Sequence, residues 1–474
     1  MLWQPLSKQL HLRSTTAVHR RSANMAEINI HAQNQALLAI SEALQTGTMQ
    51  RAKSILNALH PAEIANLLEA IPHSQRIIVW NMLDHDEGEI LLNVGEEVRS
   101  GLIKLMDSEA LVAATEGLEI DDLADLLVDL PDTVTQQALS SMDHHDRQRL
   151  EAVLSYDENT AGGLMNTDMV TVRRDVTLDV VLRYLRTRGM LPDGTDSLFV
   201  VDRYDHYIGV LLLSTVLTSK PTNLVRDVLD ENARVFEANT EASVVAKSFE
   251  DLDLVSAAVV DKNNKLIGRI TVDDVVDVIR EEAEHSVFSM AGLSEEADLF
   301  GPVVASAQRR TIWLGVNLIT AFLAAWVISL FQVTLEKIIV LAILIPVVAS
   351  MGGIAGSQTL TLVIRGLALG QIGRSNSKLL LFKELGVGIL NGMTWAIIVA
   401  LIVVLWFRDF KMGGIIAAAT MANLVCAALA GVSIPVILRI LKIDPALAGG
   451  VILTTVTDVI GIFAFLGLAT WLLL

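Results

Sequence analysis

The stretch from Asp444 to Leu474 reads DPALAGGVILTTVTDVIGIFAFLGLATWLLL. From Ala446 onward it is small or apolar for long enough to cross a hydrocarbon core of about 30 Å. One carboxylate, Asp458, falls near its middle. A charge at that depth is costly unless it faces water, a cation or a partner. Thr454, Thr455 and Thr457 lie just before it, and Thr454, four residues earlier, shares its helix face. A basic partner on a neighbouring helix would explain the acid without function. No Lys or Arg lies in the interior of any other apolar segment, so a cation-coordinating site is the better expectation.

Charge divides the chain in two. Residues 301–474 hold 11 Lys and Arg against 5 Asp and Glu, which leaves 25 against 49 for residues 1–300, a net of −24. A strongly acidic soluble part therefore precedes a mildly basic membrane part. The single cysteine, Cys426, sits in an apolar segment, so no disulfide within the chain is expected. Residues 1–32 are expected to be a disordered arm, or an extension upstream of a start at Met25. They lack the unbroken apolar run of a secretory signal.

Residues 33–155 show helical periodicity. Ile64, Leu67, Leu68 and Ile71 make one apolar face. PAEIANLLEAIP from Pro61 recurs as IDDLADLLVDLP from Ile120, an offset of 59. Stacked helical pairs of this kind bury a continuous core between neighbours. Glu63, Glu69, Asp121, Asp122, Asp125 and Asp129 fall on the opposite faces, where most acids are simply solvated.

Residues 156–278 alternate β-rich runs with helices. LFVVDRYDHYIGVLLL from Leu198 is strand, turn, strand, and AAVVDKNNKLIGRITV from Ala257 repeats it, again 59 residues on. The tandem resembles a pair of CBS domains, modules that often bind adenine nucleotides such as ATP. The resemblance implies ribose contacts from a Gly-x-x-Thr-x-x-Asp stretch, present here as Gly268, Thr271 and Asp274. The first copy has Leu212 and Thr215 instead. A purely structural pair without ligand is the competing reading.

A charged helix within 279–305 leads into five apolar segments, at about 311–331, 335–363, 385–407, 414–440 and 446–474. Arg309, Arg310, Arg365, Arg374, Lys378, Lys383, Arg439 and Lys442 fall on one side; Lys337, Arg408 and Lys411 fall on the other. Positive charge collects on the cytoplasmic side, so the N-terminal domains are expected inside and the C-terminus outside. The second segment ends with Gly352, Gly353 and Gly356. Such glycines permit either close helix approach or an unwound backbone lining a cavity. Asn391 and Asn423 are expected to hydrogen-bond between helices.

This order of parts resembles the MgtE family of magnesium transporters and channels. The likeness rests on GGLM (Gly162–Met165), TVDDVVDVI (Thr271–Ile279), the glycine-rich end of the second segment, ANL (Ala422–Leu424), DPAL (Asp444–Leu447) and TDVIG (Thr457–Gly461). It covers about residues 35–474. The fold class it implies is a multidomain membrane protein: an all-α helical repeat N-domain, an α/β tandem CBS pair, a connecting plug helix and a five-span α-helical transmembrane domain at 306–474. It implies a homodimer in a bacterial plasma (inner) membrane whose pore passes Mg²⁺ by Asp458. Mg²⁺ holds its waters tightly, so a carboxylate from each subunit would grip the hydrated ion through them. It further implies a cytoplasmic Mg²⁺ sensor, with ligands carried over to Glu89, Asp121, Asp125, Asp253, Asp274, Asp277 and Glu282. Bound ions would lock a closed state by bridging acidic faces that otherwise repel. Neither an enzymatic activity nor a nucleic-acid partner is expected.

Three departures matter. Ile354 replaces the usual asparagine after Gly352-Gly353, which removes a polar group from the pore neighbourhood and leaves open whether the preferred cation is Mg²⁺, or Co²⁺ and other divalent cations as well. His285 and Ser286 stand where the plug helix is often acidic, so one sensor site there is expected to be weaker or pH-dependent. Asp274 is claimed by both the metal and the nucleotide readings. Two rival classes remain: a membrane-anchored CBS nucleotide sensor without transport, and an intramembrane aspartyl protease. The protease needs a second buried carboxylate, and Glu384 and Asp444 are expected at span ends.

Overall fold

The offset of 59 residues is a structural repeat. Helix Pro61–Glu69 is matched by Ile120–Val128, and His73–Trp80 by Asp132–Ser141. The computed structural model describes residues 35, 37–44, 46–83, 86–293, 298–373 and 376–474. The expected arm at 1–32 and Arg374 lie outside these. The helix starts are built by local chemistry. Pro61 occupies a first turn that needs no amide proton, and His60 with Glu63 closes a capping box around it. Asp143 accepts from the amides of His145 and Asp146 at 2.8 and 2.9 Å. The apolar face Ile64, Leu67, Leu68 and Ile71 is buried, in one core with Ile90, Leu91, Leu123, Leu126 and Leu127.

One cation is buried in this core's edge. Arg76 donates from Nε to the Leu68 carbonyl at 2.8 Å and pairs with Asp298 at 2.7 Å. The pair fastens the short segment 298–302 to the helical domain. Other acids of the repeat are also engaged: Glu69 accepts the Gly95 amide at 2.7 Å, and Asp129 pairs with Arg99 at 3.1 Å.

The two α/β halves share one design. Strands β1 (Thr171–Arg173), β2 (Ser197–Val201) and β3 (Tyr207–Leu212) form one sheet; β4 (Val235–Glu237), β5 (Ser256–Val260) and β6 (Leu266–Thr271) form the other. In each, a short parallel strand flanks an antiparallel hairpin. The registers Ser197↔Leu212 and Ser256↔Thr271 correspond, as do irregularities at Val200/Val201 and Val259/Val260. The hairpin turns reach across to each other: Tyr207 N donates to Asn264 O at 2.9 Å and Leu266 N to Asp205 O at 3.0 Å. Phe199, Val201, Ala258 and Val260 pack between the sheets. The halves differ in one loop, residues 189–196 in the first against 253–255 in the second.

Contacts divide the molecule into two compact units, residues 1–282 with 296–302, and residues 283–295 with 303–474. The helix Val272–Met290 starts inside the second CBS motif and contributes to both. Among the described residues, five helices of the second unit are long and apolar enough to cross a membrane: span one (Val303–Ser329), two (Val340–Ala368), three (Ser377–Phe407), four (Phe410–Ile440) and five (Pro445–Leu473). Span one starts earlier than its apolar run, so Arg309 and Arg310 ride on the helix. A short helix, Gln332–Lys337, separates spans one and two. Span four is the most buried and packs against spans two, three and five. Span one is the least buried, and its main neighbour is span five.

Candidate functional site

The acids carried over from the sequence fall into two groups. The first lines the junction between helix Ile120–Val128 and the start of helix Val272–Met290. Asp121 is buried and Asp122 half-buried. Asp274 is tied down by Thr271, whose amide and hydroxyl donate to Oδ2 at 3.1 and 3.0 Å. Burial first, and their mutual charge second, make it costly to ionise these carboxylates together. Burial, then the charge of Asp121, pushes Asp274 up to about 8. Burial, then Asp121 and Asp122, pushes Asp125 up to about 7, although its side chain keeps access to solvent. Asp122 rises to about 6, through burial and then Asp121, Asp273, Asp277 and Glu89. Asp121 itself is raised, by burial above all. Glu89 and Asp277 are exposed and act on this group from its rim.

The second group stands apart. Asp253 is exposed at the end of helix Ala242–Leu252, in the left-handed region at φ 52°. Glu282 is exposed on the helix Val272–Met290. Neither is among the principal charges acting on the buried acids. Among the described residues no three acidic, His or Cys side chains converge tightly enough to hold a bare ion.

Three participants escaped the sequence reading. Asn166 is buried, and its Nδ2 donates to Glu119 and, at 3.1 Å, to Asp121. Its backbone pairs with that of Arg269, also buried, whose guanidinium donates to Asp193 O at 2.6 Å. Glu119 is raised to about 7, by burial first and the Asp121 charge second, with Arg269 opposing. The one available signal was position: Asn166 directly follows the Gly162–Met165 motif. Glu119 precedes its helix as a cap residue and breaks no pattern.

In the membrane unit Asp458 is half-buried on span five. The three threonines before it do not solvate it. Thr454, Thr455 and Thr457 donate to the Gly450, Val451 and Leu453 carbonyls of their own helix at 2.9, 2.7 and 3.0 Å. Among the described residues no side chain pairs with Asp458. A basic partner, the functionless explanation, is therefore not supplied among the described residues. The expectation for Asn423 holds, since its Nδ2 donates to the Val348 carbonyl of span two at 2.8 Å. Asn391 differs: it is exposed, because it falls on the outer face of span three. Glu384 also differs from expectation. Span three begins at Ser377, so Glu384 lies inside the helix, 3% exposed, with Lys383 at 2.5 Å and the Thr359 hydroxyl at 3.3 Å. At the start of span five, Asp444 caps the amides of Ala446 and Leu447, and the ring of His285 lies 3.3 Å from its Oδ2.

Comparison with known proteins follows this division. The profile of the MgtE divalent cation transporter matches residues 345–468, that of the MgtE intracellular N domain matches 59–159, and the CBS domain matches 161–220 and 225–281. The magnesium transporter MgtE of Thermus thermophilus is 30% identical over 444 residues, 92% of this chain and 98% of that protein. Its counterpart in Bacillus subtilis is 26% identical over 92% of this chain and 97% of its own. A crystal structure of the cytosolic domain of the Mg²⁺ channel MgtE in complex with ATP is 30% identical, covering 51% of this chain and 99% of that one at a TM-score of 0.46.

Proposed function

This chain belongs to the MgtE family of magnesium transporters, and we propose that it carries hydrated Mg²⁺ past Asp458 and closes when Mg²⁺ fills its acidic cleft. Membership makes it a transporter rather than an enzyme, and it sets aside the anchored nucleotide sensor. The observation that carries the pore reading is the state of Asp458. A carboxylate on an apolar helix, with no paired side chain among the described residues, needs a cation to remain charged at membrane depth. The proposal supplies one: in a homodimer two such acids hold an ion through its water shell. Water-mediated contact also lets the ion leave.

The gate is supported by crowding in the cleft. Burial and their mutual charge raise Asp121, Asp122, Asp125 and Asp274 above the ordinary carboxylate range, which favours proton binding there. A divalent ion would replace those protons and favour the joined arrangement. We place the inner sensor at Asp121, Asp125 and Asp274, with Glu89 and Asp277 at its rim and Asp253 and Glu282 as outlying contributors. Without three preformed ligands, the ion would keep several waters, as Mg²⁺ prefers. Asp274 goes to this cleft rather than to a ribose, because its carboxylate is bonded to Thr271 and faces Asp121. An ATP site at Thr271 and Asp274 would require that face to open. In this proposal the basic ends of spans two, three and four lie in the cytoplasm of a bacterial plasma membrane and the C-terminus outside. Ile354 is 59% exposed on span two, so it adds no polar ligand, and Co²⁺ should pass as well as Mg²⁺.

The test is flux into proteoliposomes holding the purified full chain. Mg²⁺ entry that Co²⁺ competes for, and that internal Mg²⁺ shuts down, is expected. Vesicles that take up no divalent cation under a gradient would overturn the reading.

A further inference from the structure

The side chain of Asn423 is wholly buried where spans two, four and five meet. Its amide plane is held between two glycines. A Cβ on Gly352 of span two would lie 2.7 Å from the Asn423 Cγ, and one on Gly461 of span five would lie 2.7 Å from the same atom. The side chain thus occupies the space that any larger residue at either position would claim. Its nitrogen donates to the Val348 carbonyl, one turn before Gly352. Its oxygen is buried with no hydrogen-bond partner, as is the hydroxyl of Thr420, one turn earlier on span four. Leaving a buried acceptor unpaired costs its desolvation without return. An apolar residue would fill the notch without that penalty, so stability alone does not account for an amide here.

What the amide adds is register. A hydrogen bond to one carbonyl fixes span four against span two along the axis, which apolar packing between smooth small-residue faces leaves loose. The same side chain seats Gly461, three residues after Asp458 and on its side of span five. Thr457, adjacent to Asp458, is also fully buried, so span five has little freedom to roll.

We propose that Asn423 is a positioning residue for the ion path: wedged between Gly352 and Gly461, it sets the depth and rotation of span five and so the place of Asp458. This rests on the reading of Asp458 as the pore carboxylate, and the experiment separates the two. Asn423→Leu, Gly461→Ala and the pair Gly461→Ala/Asn423→Ala are reconstituted beside Asp458→Ala. Mg²⁺ flux is measured against concentration to split half-saturation from maximal rate. Asn423→Leu and Gly461→Ala should raise the half-saturating Mg²⁺ by about tenfold, the scale seen when groups supporting metal ligands are removed. The maximal rate should fall less. The pair, in which the added methyl enters space the amide has left, should lie nearer to the wild type than Gly461→Ala alone.

A second measurement covers variants that fold but do not transport. In a Cys426→Ala background, Asp458→Cys is labelled with a charged thiol reagent, and adding Asn423→Leu should change the labelling rate several-fold. Unchanged half-saturation together with unchanged labelling would overturn the positioning role. If Asp458→Ala itself carries normal flux, the pore reading falls instead. A loss of half-saturation in Asn423→Leu that the pair fails to relieve relative to Gly461→Ala would also count against the wedge.

Discussion

The acidic cleft and the membrane unit bury polar groups in opposite ways. Around Asp121 the soluble part gathers carboxylates, opposed by Arg269 at Glu119 and Asp121 and by Arg99 at Asp125. At the junction of spans two, four and five the buried groups are neutral, Thr420, Asn423 and Thr457; the buried acid of span three, Glu384, is paired with Lys383, and among the described residues no side chain pairs with Asp458. Crowded acids make an arrangement that depends on what neutralises them, so it can switch. Neutral groups at helix junctions fix geometry regardless of ion concentration. In the proposed reading the two regions thus divide the work of sensing and of conducting.

The largest expected effect breaks the conducting side. Asp458→Ala should cut Mg²⁺ flux by at least about tenfold while the protein still folds and keeps the wild-type oligomeric state. Asp458→Asn should cut it less, since an amide still hydrogen-bonds the ion's waters. Both are read in proteoliposomes, alongside size-exclusion chromatography. Normal flux through Asp458→Ala would leave the membrane unit without an ion site.

On the sensing side, Asp121→Asn/Asp125→Asn should raise the internal Mg²⁺ needed for closure by about tenfold, within the usual range of coupling between sites. Mg²⁺ should also protect the wild-type cytosolic part from protease, and the double variant should need more of it. General screening is the competing account. Added KCl at matched ionic strength mimics screening and does not mimic site binding. Equal protection by KCl would reduce the cleft to ordinary surface charge.

How far the sequence shows these regions depends on what each residue does to a pattern. Asp458 interrupts an apolar run, and the offset of 59 repeats itself in both soluble domains, so both are legible. The crowding is not. Periodicity puts Asp122 and Asp125 on a polar face, and only the fold shows that helix Val272–Met290 brings Asp274 against it. Asn166 was invisible for the same reason, since its partners are 45 and 47 residues away. Asn423 was legible as an interhelical donor, but its two glycine neighbours lie on separate spans. Glu384 was misplaced because hydropathy marks where a run becomes apolar, while the helix begins at Ser377.

A smaller effect comes from pH without divalent cations. Glu119, Asp125 and Asp274 have folded-state values of about 7, 7 and 8, above the ordinary 4.5, 3.8 and 3.8. The folded state therefore binds more protons than the unfolded one between those limits. By linkage, stability falls as pH rises through the folded values and is recovered as pH drops below them. In chelator, protease resistance of the cytosolic part should increase from pH 8 to pH 6. In saturating Mg²⁺ the trend should flatten, because the ion already offsets the repulsion. A resistance that rises with pH in chelator would mean that these acids are not crowded in solution.

The smallest effect sharpens the boundary of the cleft. Asp253 resembles a family sensor ligand by sequence, yet it is exposed at a helix end and is not among the main charges on the buried group. An exposed acid interacts through high dielectric and is screened within about 8–10 Å at physiological salt. Asp274 is half-buried, and Asp121 is the first charge acting on it. Asp253→Asn should therefore move the closing Mg²⁺ concentration by no more than about twofold, less than Asp274→Asn does. The comparison is made on the same flux assay with internal Mg²⁺ varied. If Asp253→Asn shifts closure as far as Asp274→Asn, the sensor extends beyond the cleft, and the outlying acids must approach another charged face when the gate shuts.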